Sequence, residues 1–262
     1  MINELYTSLR FYDSIDLLNR FRGFDNSYKW RLYEDTKHLP AFQVNTSGGL
    51  TSLKLVDLAT GAETDVSSDF TSGGGQAVEF SDFTRIYYPR ALETTPRDYG
   101  HYYLKLTSGS DVLYSEDFII DSITGKQIIT WSNEKDLGGI YYPSGTKYWN
   151  KLILDAVVAK PSYPIEEDGN EDGFSNFIPT FQRVYKQWQM WFYAPEWVAD
   201  ACSLIPLHDY VTIYPSYGNG VSYSASDVDF NLEWMENKGL AKIILTFRRD
   251  AVVKTYYGNT IT

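Results

Sequence analysis

Hydrophobic and polar residues alternate with a period of two along most of this chain, the signature of strands with one covered face. In LKLVDL, Leu53, Leu55 and Asp57 share one face while Lys54, Val56 and Leu58 share the other. In DVDFNLEW, Val228, Phe230, Leu232 and Trp234 alternate with Asp227, Asp229, Asn231 and Glu233. AFQVN, AVEF, TRIYY, HYYLKLT and VLYSEDFII continue the pattern between Pro40 and Asp121, with the turn clusters TSGG, ATGAE, TSGGGQ and SGSD between them. About seven short strands in roughly 80 residues predict an immunoglobulin-like or fibronectin-like sandwich over 40–122.

The remaining strands lie in a second unit, 123–262. KQIITWSN, the apolar run KYWNKLILDAVVAKP, DYVTIY and LAKIILTFRRD all read as β. In FIPTFQRVYKQWQMWFYAPEW, Phe181, Tyr185, Trp191 and Tyr193 face one way; Val184, Trp188, Met190 and Phe192 face the other. Both sets are apolar, which predicts a strand covered on both sides. One short helix is expected near 195–205, with Pro195 at its first turn and Pro206 at its end. Residues 1–39 differ. The loose helical spacing of Leu5, Leu9, Ile15, Leu17 and Leu18, broken by Gly23, Asp25 and Asn26, reads as an N-terminal arm. The fold class is therefore mainly β: an arm, a sandwich, and a second β-rich domain with one short α-helix.

Composition narrows the function. A net charge of −11 disfavours tracking a phosphate backbone, so nucleic acid is not an expected partner. No apolar run approaches a membrane span, and the first residues lack a basic stretch followed by an apolar one, so neither membrane nor export is expected. Cys202 is the single cysteine, which fits folding in a reducing compartment. The unusual quantity is aromatic content, 16% with 22 Tyr, a composition suited to sandwich cores and interfaces.

Candidate chemistry is sparse. EEDGNEDG at 166–173 places Asp168, Asn170 and Asp172 in alternation before Gly173, the first half of a calcium loop. Position twelve of such a loop is Pro179, which has no side-chain oxygen to complete the shell. The run reads as a solvated acidic loop between strands, with Asp168, Asn170 and Asp172 as weak metal candidates. His38, His101 and His208 show no ligand spacing, and Cys202 sits on the apolar side of its helix. No nucleophile elbow or phosphate loop is present, so neither a catalytic residue nor a cofactor is expected.

Three stretches carry a resemblance: YKWRLYEDTKHLPAFQV at 28–44, YYLKLTSGSDVLYSEDF at 102–118, and FYAPEWVADACSLIPLHDYVTI at 192–213 followed by LEWMENKGLAKIILTFRRDAVVK at 232–254. Together with an acidic stretch before a long aromatic strand, they resemble virion proteins of tailed phages and prophages of Bacteroides-type bacteria, including crAss-like phages. The similarity runs from about residue 28 onward, and residues 1–27 depart from it. It implies a non-enzymatic structural component of the virion, in the tail, collar or fibre-attachment region, made in the host cytoplasm. Its partners would be copies of itself and other virion proteins. Leu5, Leu9, Phe11 and Tyr12 of the arm are the residues expected to carry assembly, so that deleting 1–27 should leave a folded, assembly-defective chain. The alternative is a carbohydrate- or receptor-binding module of the same particle, which requires exposed Trp or Tyr on a sheet face. A glycosidase, the third reading, requires a cleft with opposed carboxylates.

Overall fold

The computed structural model describes residues 7–14, 32–71, 75–89, 96–144, 148–214, 220–223, 227–236 and 239–255. The chain is mainly β, and the described residues are arranged in four sheets.

The first sheet is organised by β8 (Gly100–Ser108). One edge of β8 pairs along its length with β4 (Leu50–Asp57), which in turn pairs β5 (Glu63–Asp65). The other edge is shared end to end by β9 (Asp111–Ser115) and β10 (Phe118–Ile120). VLYSEDFII is thus two strands, interrupted at Glu116 and Asp117. Beyond them lie β1 (Phe11–Tyr12), antiparallel to β9, and β2 (Leu32–Glu34), parallel to β10. The described parts of the arm are therefore the outermost strands of this sheet, and residue 39/40 is not a boundary within it. A second, three-stranded sheet of β3 (Phe42–Thr46), β7 (Thr84–Tyr88) and β6 (Gln76–Glu79) completes this half. Phe42 joins the layers: its ring lies 4.9 Å from Phe11, 5.2 Å from Tyr88 and 5.8 Å from Phe70, which sits on the single-turn helix α1 (Ser67–Thr71). Aromatic contacts of this kind add about 0.5–1.5 kcal/mol each beyond the area they bury.

The second half holds a four-stranded sheet, ordered β12 (Asn150–Leu154), β11 (Gln127–Ser132), β16 (Tyr210–Tyr214), β17 (Val221–Tyr223). The fourth sheet is built on two long strands, β15 (Phe177–Pro195) and β19 (Leu240–Thr255), flanked by β13 (Val157–Val158) and β14 (Ile165–Glu171) on one side and β18 (Val228–Trp234) on the other. Met190, Phe192 and Ala194 of β15, with Ala241, Ile243 and Leu245 of β19, face a core shared with Ile129, Trp131, Leu152 and Ile213. Helix α2 (Glu196–Ser203) follows where the sequence predicts it, and Val198, Ala199, Ala201 and Cys202 are its buried face. Pro195 caps it in an extended conformation, and Pro206 lies in the 3-10 turn that ends it.

The two halves meet through β2 and β12. Tyr33, Ile119 and Ile153 form one apolar contact between them. Beside it, Glu34 and Lys151 form an ion pair with both side chains almost wholly buried. Every residue of β12 is buried, as is every residue of β2 and β10, so these are strands covered on both faces. The sequence reading assigned that property to β15, and the structure corrects it. Gln187 and Gln189 alternate with Trp188 and Met190 there, and from Gln187 to Pro195 no residue on their side, Trp191 and Tyr193 included, is buried. That outer face is closed by cross-strand pairs, Lys242 with Glu233 and Arg248 with Asp229.

Candidate functional site

The segment that departs most from a packed sheet is the one that begins with the acidic run. Residues 165–171 are a strand, β14, and the turn lies further on, at 172–176; the expected acidic loop is a hairpin. Asp172 builds that turn. Its Oδ1 accepts N–H bonds from Phe174 at 2.8 Å and Asn176 at 2.9 Å, and the Asn176 amide donates to its Oδ2 at 3.0 Å. These bonds, the Asn176 side chain's first, hold the Asp172 carboxyl below its usual range. Ser175 takes a positive φ of 62° to close the loop.

A β-bulge sits between Asp168 and Gly169. The extra residue is Thr180, whose hydroxyl donates to the Asp168 carbonyl at 3.1 Å. A Cβ on Gly169 would come within 2.2 Å of the Ile178 carbonyl oxygen, so the backbone approach there admits only glycine. Glu167 accepts from Gln182 at 2.7 Å, and Glu166 accepts from the Tyr185 hydroxyl at 2.5 Å. Arg183 stacks over the Tyr185 ring at 4.1 Å.

Tyr185 is where β15 changes character. From Lys186 to Pro195 its inward residues reach the core, and a second bulge, between Val184 and Lys186, marks the change in its pairing with β19. From Phe177 to Val184, no residue is buried, and none of β14 is. This distal ribbon has three strands, since β19 pairs Phe181–Val184 through Val252–Thr255. Register assigns its faces. Ile165, Glu167, Glu171, Phe177, Pro179, Gln182 and Val184 share one; Glu166, Asp168, Asn170, Ile178, Phe181 and Arg183 share the other. Both faces carry apolar side chains, and no residue of β14 or of 177–184 on either is buried. Phe174 is 89% exposed, Ile165 61%, Ile178 53% and Phe177 50%.

The residues expected to matter lie as follows. Leu9, Phe11 and Tyr12, expected to carry assembly, are buried within the chain, so their apolar surface is covered inside the molecule. The Tyr12 hydroxyl donates to Glu116, and burial pushes its pKa well up. Leu5 lies outside the described residues. Asp168 and Asn170 share the second ribbon face, while the Asp172 carboxylate is engaged in the turn. Among the described residues no group of three or more His, Cys, Asp or Glu side chains is placed to hold a metal ion. Cys202 is fully buried and burial raises its thiol pKa. The Trp191 and Tyr193 rings on the outer sheet face stand 78° apart at 6.0 Å, an edge-on pair and not a flat platform for a sugar ring.

Sequence reasoning missed two features. One is a buried hydrogen-bond chain: His208 Nδ1 lies 2.6 Å from the Leu204 carbonyl, which places its proton on Nδ1. Nε2 then accepts from Tyr142 at 2.6 Å, and Tyr142 accepts from Asn150 at 3.0 Å. Burial holds His208 below its usual pKa, so it is a neutral structural group. Nothing in the local sequence links Tyr142, Asn150 and His208. The other is the ribbon itself, whose signal was present in FSNFIPTF beside the acidic run. No protein-family model matches the chain, and no curated protein matches it in sequence.

Proposed function

We propose that this chain is a non-enzymatic structural protein of a tailed-phage particle, a tail, collar or fibre-adaptor component that works in assembly. The observation that carries this reading is the distal ribbon, three strands with no buried residue in β14 or 177–184 and four exposed large apolar side chains. An isolated ribbon of this kind is marginal in water, and exposed apolar residues rimmed by polar ones mark interaction surfaces. The resemblance to phage virion proteins supplies the setting, and the assembly role is assigned to the ribbon because Leu9, Phe11 and Tyr12 are buried. In this reading the sandwich half anchors the second half, through the buried Glu34–Lys151 pair and the Tyr33–Ile153 contact, and the second half presents the ribbon.

The test is the composition of purified particles. Mass spectrometry should find the chain at a fixed copy number per particle, and a cryo-EM map should place it at a symmetric position with the ribbon against a neighbour. Absence from intact particles would overturn the reading. A receptor-binding module would instead show the outer face of β15 and β19 at the particle surface and bind glycans through Trp191 and Tyr193.

A further inference from the structure

We propose that the ribbon is received by a different protein, in an apolar groove edged with lysine and arginine, and not by a second copy of this chain. This rests on the assembly reading above and names the partner's chemistry.

Charge decides between the occupants. Over 165–184 and 252–255 the ribbon carries five carboxylates, Glu166, Glu167, Asp168, Glu171 and Asp172, against two cations, Arg183 and Lys254. None of the five forms an ion pair with Lys or Arg among the described residues. Glu166, Glu167 and Asp172 accept hydrogen bonds from neutral groups, Tyr185, Gln182 and Asn176. The acids are spread over both faces, so they edge the apolar residues whichever face is considered. A two-fold contact with a second copy would set these carboxylates against their own counterparts. The whole chain, at −11, adds to that repulsion. A groove with a cationic rim satisfies both features when the ribbon enters tip first: Phe174 meets its apolar floor, Phe177 and Ile178, on opposite faces, meet its two walls, and Glu167 and Glu171 meet its edge. That division, an apolar centre with a charged rim, is the ordinary anatomy of an interface. β14 is also an edge strand among the described residues, and its run of acids blocks pairing with another acidic edge.

The experiment uses the full chain and a labelled 18-residue amphipathic peptide with leucine on one face and lysine on the other, a mimic of the groove surface. Its partner probe has glutamate in place of lysine. Anisotropy should show the lysine peptide binding at least tenfold more tightly than the glutamate peptide. F174S/F177S/I178S and, separately, E167K/E171K should each weaken it at least tenfold. E79K/D82K, which makes the same charge change on an exposed turn of the sandwich half, should change it less than twofold. Sedimentation velocity on the same proteins tests the other occupant. A dimer that F174S/F177S/I178S dissolves would overturn the proposal and leave the assembly reading standing. Ribbon variants that bind the peptide as well as E79K/D82K does, in a chain that stays monomeric, would overturn both.

Discussion

The two ends of β15 belong to one continuous strand yet live in different surroundings. From Lys186 to Pro195 it has β13 on one edge and β19 on the other, and its inward side chains, Met190, Phe192 and Ala194, meet the shared core. From Phe177 to Val184 it has β14 on one edge throughout and β19 on the other from Phe181, but none of these residues is buried. Both ends are therefore paired within the sheet, and side-chain burial is what separates them. Burial supplies most of the favourable term in folding, so the two ends make unequal contributions to stability despite similar composition. An apolar surface that adds little to the fold of the free chain is available for a partner.

The largest expected effect sits at the core end. Phe192→Ala should cost about 3–5 kcal/mol in chemical denaturation, from lost transfer energy and the cavity left behind; a cost below about 1 kcal/mol would erase the contrast. Lys151→Ala probes the same core from the junction of the halves. It strands the Glu34 carboxylate in a buried site, and about 3–5 kcal/mol of destabilisation is expected. A loss confined to surface-pair size, about 0.2–1 kcal/mol, would mean that the junction is solvated.

Gly169→Ala moves the test to the ribbon. The new methyl group collides with the Ile178 backbone, so the bulge must open and the register beyond it must shift. Limited proteolysis between 165 and 184 should accelerate several-fold while the core transition is nearly unchanged. A fall in core stability as large as that of Phe192→Ala would show that the ribbon and core unfold as one unit. The smallest effects belong to Phe177→Ser and Ile178→Ser, each expected within about 0.5 kcal/mol of the parent in global stability. Either one costing 2 kcal/mol or more would contradict the exposure assigned to it.

Much of this organisation was legible in the chain. Alternation placed most strands, including the full run of β15 and β18, whose Val228, Phe230 and Leu232 turn inward while Trp234 at its end is exposed, because a half-covered strand writes its burial directly into period two. The helix at 196–203 was marked by its flanking prolines. Alternation does not say which apolar side is covered, however. Trp191 and Tyr193 looked like a second buried face and are half-exposed; Lys151 looked polar and is buried, because β2 brings Glu34 to it from 117 positions away. Leu9, Phe11 and Tyr12 were read as assembly residues for the same reason: the partners that bury them, Phe42 and the β9 strand, are distant in sequence. The acidic run misled in the other direction. Five acids in eight residues look like a loop, but strand pairing with an apolar neighbour holds β14 extended.

Hydrogen exchange measured on the free chain and on purified particles tests the central claim most directly, because it reads both ends of β15 in one experiment. In the free chain, the amides of 177–184 should exchange at least tenfold faster than those of 186–194; in the particle that difference should collapse as the ribbon becomes covered. Equal slow exchange at both ends of the free chain, or a ribbon that exchanges as fast in the particle as outside it, would contradict the account.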